Sequence, residues 1–143
     1  MRKFFAVIAT ALLLPVAAYA GDWMVLSGMS THFERSDEFR RWNPGLGWER
    51  PTADWQGAWM AGFFRNSYDR DTVYVGARWT PWSWGAVRLG AFAGAVSGYW
   101  TPVAILPMAS IEGRRFGFNL VAAPTVREYA GYVGAQFKIR FDD

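Results

Sequence analysis

The chain has 143 residues with 15 basic and 12 acidic side chains, and a formal charge of +3 is too small to mark a nucleic-acid binder. It holds no cysteine, which excludes a disulfide framework and a thiolate metal site. Nine Trp, six Tyr and eleven Phe are more aromatic surface than a soluble domain of this size can hide, and outer-membrane barrels are where such residues face outward.

Arg2 and Lys3 open the chain, an apolar run from Phe4 to Val16 follows, and Ala18-Tyr19-Ala20 forms an A-x-A cleavage signal. Together they predict a cleaved signal peptide over residues 1–20. The run is shorter than the roughly 20 apolar residues of a spanning helix, and Pro15 interrupts it, which argues against a retained anchor. Without Arg2 and Lys3 the exported chain, residues 21–143, carries 13 basic and 12 acidic residues and has room for one domain.

Residues 23–33 predict the first strand, which ends beside the only histidine, His32. Residues 34–42 form a charged loop, and 43–50 a glycine-interrupted second strand with Pro44 at its start, where a missing N–H is tolerated. A short turn at 51–54 leads to a hairpin over 58–79. Val73, Val75, Ala77 and Trp79 take one face of its second arm, while Tyr74, Gly76 and Arg78 take the other. That period of two belongs to a strand. The hairpin tip, 65–71, is polar and charged. Residues 80–85 (TPWSWG) read as a turn that holds tryptophans at a membrane interface.

Strands follow at 87–96, 103–112 and 115–123, separated by a loop at 97–101 and a tight turn at 113–114. After a last loop at 124–129, residues 132–141 predict the clearest strand of the chain. Val133, Ala135, Phe137, Ile139 and Phe141 share one face; Gly134, Gln136, Lys138 and Arg140 share the other. The tally is eight antiparallel strands, each near the roughly 9–11 residues that cross a bilayer at a tilt. Short turns alternate with longer, more charged loops. The expected fold is therefore all-β, an eight-stranded antiparallel transmembrane barrel, with a soluble lipocalin-like barrel or sandwich as the competing architecture.

This threading puts His32, at the top of strand one, on the same rim as Asn66-Ser67, at the top of strand three. A neutral imidazole beside a hydroxyl is the minimum for moving a proton off an attacking alcohol. Arg35, Arg40, Arg41, Arg65, Arg70 and Arg127 fall in the loops of that rim, where guanidinium forks suit phosphate-bearing lipid head groups. Gly45-Leu46-Gly47 lacks the spacing and the following helix of a phosphate loop. Pro107 and Pro124 each delete a ladder N–H in or near strands six and seven, the mark of a lateral gap or a strand end.

The runs Phe64-Arg65-Asn66-Ser67-Tyr68, Leu106-Pro107-Met108-Ala109-Ser110, Ala123-Pro124 and Gln136-Phe137-Lys138-Ile139-Arg140-Phe141 stand in characteristic order and spacing. Over roughly residues 42–141, and back to His32, the chain resembles the lipid A palmitoyltransferase family, PagP. The resemblance implies an outer-membrane enzyme of a Gram-negative bacterium that moves a palmitoyl chain from the sn-1 position of a phospholipid to a hydroxyl of lipid A. It implies a catalytic set of His32, Asn66, Ser67 and Tyr68, with His32 as general base, Asn66-Ser67 at the family's aspartate-serine pair, and Ser67 and Tyr68 positioning His32 or donating to the oxyanion. Arg35, Arg40, Arg65, Arg70 and Arg78 would contact substrate, and Pro107 and Pro124 would flank a lateral gate. The implied protein is a monomer with a phospholipid donor and a lipid A acceptor; no cofactor, metal or nucleic acid is implied.

Three positions depart from the family pattern. Asn66 stands where the family has aspartate, leaving Asp69, Asp71 or Glu34 as substitutes. Arg78 aligns with the small residue that floors the acyl pocket. The amphipathic helix before the first strand is missing. A catalytically silent barrel that kept the scaffold is the alternative these departures keep open.

Overall fold

The computed structural model describes residues 21–126 and 130–141, so the signal-peptide segment and Arg127 lie outside the described residues. Eight strands run in order: β1 (Trp23–His32), β2 (Trp42–Pro51), β3 (Gly57–Arg65), β4 (Asp71–Trp84), β5 (Val87–Val96), β6 (Val103–Glu112), β7 (Phe116–Ala123) and β8 (Tyr132–Arg140). Each pairs antiparallel with the next, and β8 returns to β1 over nearly its whole length, from Trp23↔Arg140 to His32↔Tyr132. The sheet is a closed eight-stranded barrel in which every strand pairs with a neighbour on both sides over at least part of its length.

Strand parity sorts the side chains as the period of two requires. Trp59, Phe63, Val75, Trp79, Ile105, Phe116 and Phe118 face outward and are exposed, whereas Glu49, Tyr74, Arg78, Phe92, Asn119 and Lys138 face inward and are buried. Trp59, Trp79, Trp82, Trp84 and Phe116 cluster toward the short-turn end, and Phe33, Trp42 and Trp100 toward the long-loop end. No helix among the described residues is long and apolar enough to cross a membrane, a finding that leaves strand crossings open.

One segment departs from its sequence reading. Residues 80–85, expected as a turn, belong mostly to β4, which continues to Trp84. The pairing with β5 shifts register between Trp79 and Trp82, and Pro81, which has no N–H to give the ladder, sits inside that irregularity. The reversal itself is tighter, with Gly85 at a φ of 56°.

The lumen has two unlike halves. At the short-turn end it is filled by ions. Glu49 accepts from Arg78 Nε (2.6 Å), Lys138 Nζ (2.9 Å) and Asn119 Nδ2 (2.9 Å). Glu112 accepts from Lys138 Nζ (2.8 Å), Arg88 Nε (2.6 Å) and Arg78. Lys138 also donates to Ser110 Oγ at 2.8 Å, and its ammonium lies 4.6 Å from the centre of the Trp23 ring. Burying such charges is tolerated only because each finds several partners.

Above this plug lies an apolar layer of Met60, Tyr74, Phe92 and Met108. The Tyr74 phenol reaches over the backbone of Gly47 and Gly62, where any Cβ would collide with its oxygen. Gly47 of β2 and Gly62 of β3 are thus explained by close packing of a lumenal ring. Toward the long loops the barrel opens into a cavity of about 340 Å³, mostly apolar, bordered by Phe64, Val96, Leu106, Met108, Val121 and Ala135 among others.

Candidate active site

His32 ends β1 at the long-loop rim and is buried. Its ring stacks on Phe39 of the β1–β2 loop, with centroids 3.9 Å apart and planes 16° from parallel. Tyr132 of β8 lies on another side at 5.5 Å. Nε2 meets Ser67 Oγ at 3.3 Å. The imidazole is therefore packed between rings with one hydroxyl in reach of its outer nitrogen, and among the described residues no carboxylate pairs with it.

Ser67 belongs to the β3–β4 loop, and its neighbours explain why it is held still. Asn66 Oδ1 accepts the N–H groups of Tyr68 (2.9 Å) and Arg70 (3.0 Å), a local side-chain turn of the kind asparagine favours. Asn66 Nδ2 donates to Thr72 Oγ1 (3.1 Å) and to the Gly98 carbonyl (3.0 Å), tying the loop to the start of β4 and to the β5–β6 loop. The Arg40 N–H reaches the Ser67 carbonyl at 3.1 Å, which joins the β1–β2 loop to the same turn. Asp69 completes the turn at a φ of 61°, a left-handed conformation that aspartate tolerates.

Asn66 is thus fully employed as a brace and does not address His32. Asparagine here is required as both donor and acceptor, whereas an aspartate would set a carboxylate against the Gly98 carbonyl. Asn66→Asp is expected to lose about 1–3 kcal/mol of stability, the cost of leaving buried groups unmatched, and to gain no activity. Urea midpoints in detergent, read beside hydrogen exchange of residues 66–72, test this; an unchanged midpoint would refute the brace.

Two of the three proposed carboxylate substitutes, Asp69 and Asp71, are also occupied. Asp69 takes Arg40 Nη1 at 2.7 Å and Arg65 Nε at 3.1 Å, and Arg65 Nη1 reaches Asp71 at 2.8 Å. Hydrogen bonds from Arg65 and Arg40 hold the Asp69 carboxyl below its ordinary range. Glu34 is exposed, one residue past Phe33. Of the loop arginines, Arg35 pairs with Glu38 (3.4 Å) and Arg41 with Asp37 (3.6 Å), both in the open, and Arg70 is exposed. Arg40 and Arg65 brace loops while their side chains remain partly open to solvent.

Arg78 stands apart from these. It is 2% exposed, bound to Glu49 and Glu112 inside the plug, and borders the ionic half of the lumen; the cavity is walled off from it by Tyr74, Phe92 and Met60. The grouping of Arg78 with substrate-contacting arginines is corrected accordingly. It supports the floor from beneath.

Tyr68 borders the cavity, packs edge-on to Phe39 (5.4 Å) and to Tyr99 (6.1 Å), and so joins the roof over His32 to the cavity mouth. Burial raises the Tyr99 phenol above its ordinary range, so it stays protonated. Phe39, Tyr99 and Tyr132 were not singled out from sequence. Phe39 is the one apolar side chain between Glu34 and Arg41, and that isolation in a charged loop was its only signal.

The two prolines sit on either side of an interruption in the wall. The β6–β7 ladder runs from Glu112↔Gly117 to Met108↔Val121 and stops there. Above it, Val103 to Pro107 pair with β5 alone, and Pro107 is the first residue past the last β7 pair. Pro124 follows the end of β7. Ala104, Leu106, Ala123 and Pro124 border the cavity at this place, so the unpaired stretch is where the lumen meets the outer face of the barrel. Searches against known protein families and against curated proteins find no match for this chain, so the site stands on its own geometry.

Proposed function

We propose that the chain is an outer-membrane acyltransferase of a Gram-negative bacterium, similar in action to the lipid A palmitoyltransferases. It takes an acyl chain from a glycerophospholipid and passes it to a hydroxyl of lipid A. The observation that carries this reading is the His32 Nε2–Ser67 Oγ contact at the mouth of an apolar cavity that opens sideways beside Pro107. A base and an alcohol at a polar rim suit ester chemistry. A cavity of about 340 Å³ falls in the size range of small-molecule sites and is lined as a hydrocarbon chain requires. The outward band of exposed Trp, Phe, Ile and Val, with tryptophans toward both ends, suits a bilayer and would aggregate a soluble barrel.

In this reading the donor's acyl chain enters between β6 and β7 from the lipid phase and threads the cavity. Its ester carbonyl stays at the rim. His32 acts as general base, and the phenols of Tyr68 and Tyr99, which border the cavity, serve as donors for the developing oxyanion. The loop arginines, the exposed Arg70 among them, meet phosphate groups. The protein works as a monomer without metal or cofactor.

Mass spectrometry of lipid A from Gram-negative cells expressing the chain tests this. One added acyl group is expected with the wild type, and a fall of about 100-fold or more with His32→Ala, the scale on which a general base contributes. Unchanged lipid A in cells with folded wild-type barrel favours the second reading, a silent barrel. That reading is favoured by one observation, the commitment of Asn66 to bracing rather than to His32.

A further inference from the structure

We propose that Ser67 is the nucleophile of the reaction and carries the acyl chain as an ester between donor and acceptor. The proposal deepens the acyltransferase reading and rests on it. Ser67 borders the cavity, whereas His32 does not: Phe39 covers one face of the imidazole at 3.9 Å and Tyr132 stands at 5.5 Å. The Ser67 hydroxyl thus touches both the cavity and the imidazole, 3.3 Å from Nε2. A proton leaving any alcohol for His32 along this line comes most directly from Ser67 itself. A 3.3 Å contact is at the loose end for a nucleophile–base pair, as is common before substrate binds.

The surroundings suit a fixed nucleophile. The Ser67 carbonyl is held by the Arg40 N–H, and the preceding Asn66 uses both ends of its amide to pin the turn. A hydroxyl so held, above an apolar cavity, meets the carbonyl of a chain lying in that cavity. The two access routes also differ: the lateral break beside Pro107 admits a lipid tail, and the loop rim admits a polar head. A covalent intermediate lets the first substrate leave before the second arrives.

The steps balance without any further reagent. The Ser67 Oγ lone pair attacks the donor's ester carbon while its proton passes to His32 Nε2. The tetrahedral intermediate collapses, the C–O bond to the glycerol oxygen breaks, and the lysophospholipid takes that proton. In the second half the lipid A hydroxyl gives its proton to His32 and attacks the acyl–Ser67 carbon. The bond to Oγ then breaks, and Oγ recovers the proton.

Purified wild-type protein in detergent is given diacyl phospholipid alone, quenched in acid and weighed intact. One acyl group per chain is expected, located on Ser67 by peptide fragmentation, lost on adding lipid A, and accompanied by an equal amount of lysophospholipid. Initial rates with both lipids should give the parallel double-reciprocal lines of a ping-pong reaction. Ser67→Ala should release no lysophospholipid, and Ser67→Cys should form a thioester that neutral hydroxylamine cleaves, a control for any loss of loop structure in the alanine variant. Acylated lipid A with intersecting lines and no protein adduct would overturn the nucleophile and leave the acyltransferase reading standing. If wild-type protein yields neither lysophospholipid nor acylated lipid A, both are overturned.

Discussion

Replacing Glu49 with alanine is expected to cost about 3–5 kcal/mol of stability, the scale for removing one partner from a buried ionic cluster. Glu49 is fully buried and accepts from Arg78, Lys138 and Asn119. Without it, Glu112 alone faces Arg78, Arg88 and Lys138, and two of those cations, Arg78 at 2% and Lys138 at 0% exposure, are almost closed to water. Glu49→Gln keeps the shape and an acceptor oxygen, so its loss should be smaller. The double variant Glu49→Met with Lys138→Met removes a charge of each sign and should recover part of the loss. For contrast, Glu38→Ala touches only the exposed Arg35 pair and should change stability by about 0.5 kcal/mol or less. Urea unfolding in detergent ranks the four. A Glu49→Ala midpoint equal to that of the wild type would mean that the plug does not hold the barrel.

On the proposed acyltransferase reading, stapling the wall shut is expected to silence the activity reversibly. If the β6–β7 ladder continued two residues past Met108↔Val121, Leu106 would face Ala123. With no native cysteine in the chain, Leu106→Cys with Ala123→Cys forms at most one disulfide. Its Cα atoms must come within about 4.4–6.8 Å, which pulls the strands together across the break. Acyl transfer should then drop about 100-fold, as expected when a gating element is locked, and return on reduction. Each single cysteine variant should retain activity. Equal rates for the oxidised and reduced double variant would exclude this break as the way in for the lipid tail.

How much of this was legible beforehand varies with the range of the interaction. The barrel followed from local alternation: in β8 the parity of Phe137 and Ile139 against Gln136 and Lys138 already separates outside from inside. The placement of His32 and Ser67 on one rim followed from counting strands, because each hairpin reverses the chain. Residues 80–85 misled because Pro81 and Gly85 are turn residues by habit, and only pairing with β5 reveals that Pro81 sits in a strand irregularity. Asn66 was assigned to chemistry because it stands where the resembled family has the aspartate of an aspartate-serine pair. Its bonds to the Tyr68 and Arg70 amides are a local pattern that its spacing permits, but the bond to Gly98 depends on a loop 32 residues away.

The ionic cluster was the least legible part. Glu49, Arg78, Glu112 and Lys138 come from four strands, and the Lys138–Glu49 contact spans 89 positions. Each looked like one polar residue on an inward face. Closure of the sheet is what gathers them, and a window along the chain never contains two of them together. Phe39 was hidden differently, since its stacking on His32 depends on the fold of a charged loop with no periodicity.

Because charges and the Trp23 ring occupy the lower bore, with Met60, Tyr74, Phe92 and Met108 stacked over them, the hollow ends blindly partway down. A wall of this kind can be breached from the side without becoming a conduit from one face of a bilayer to the other. In the outer membrane that the proposed function calls for, many copies could therefore be carried without letting ions or small toxic solutes leak inward, a freedom that a water-filled channel of equal strand number would not give.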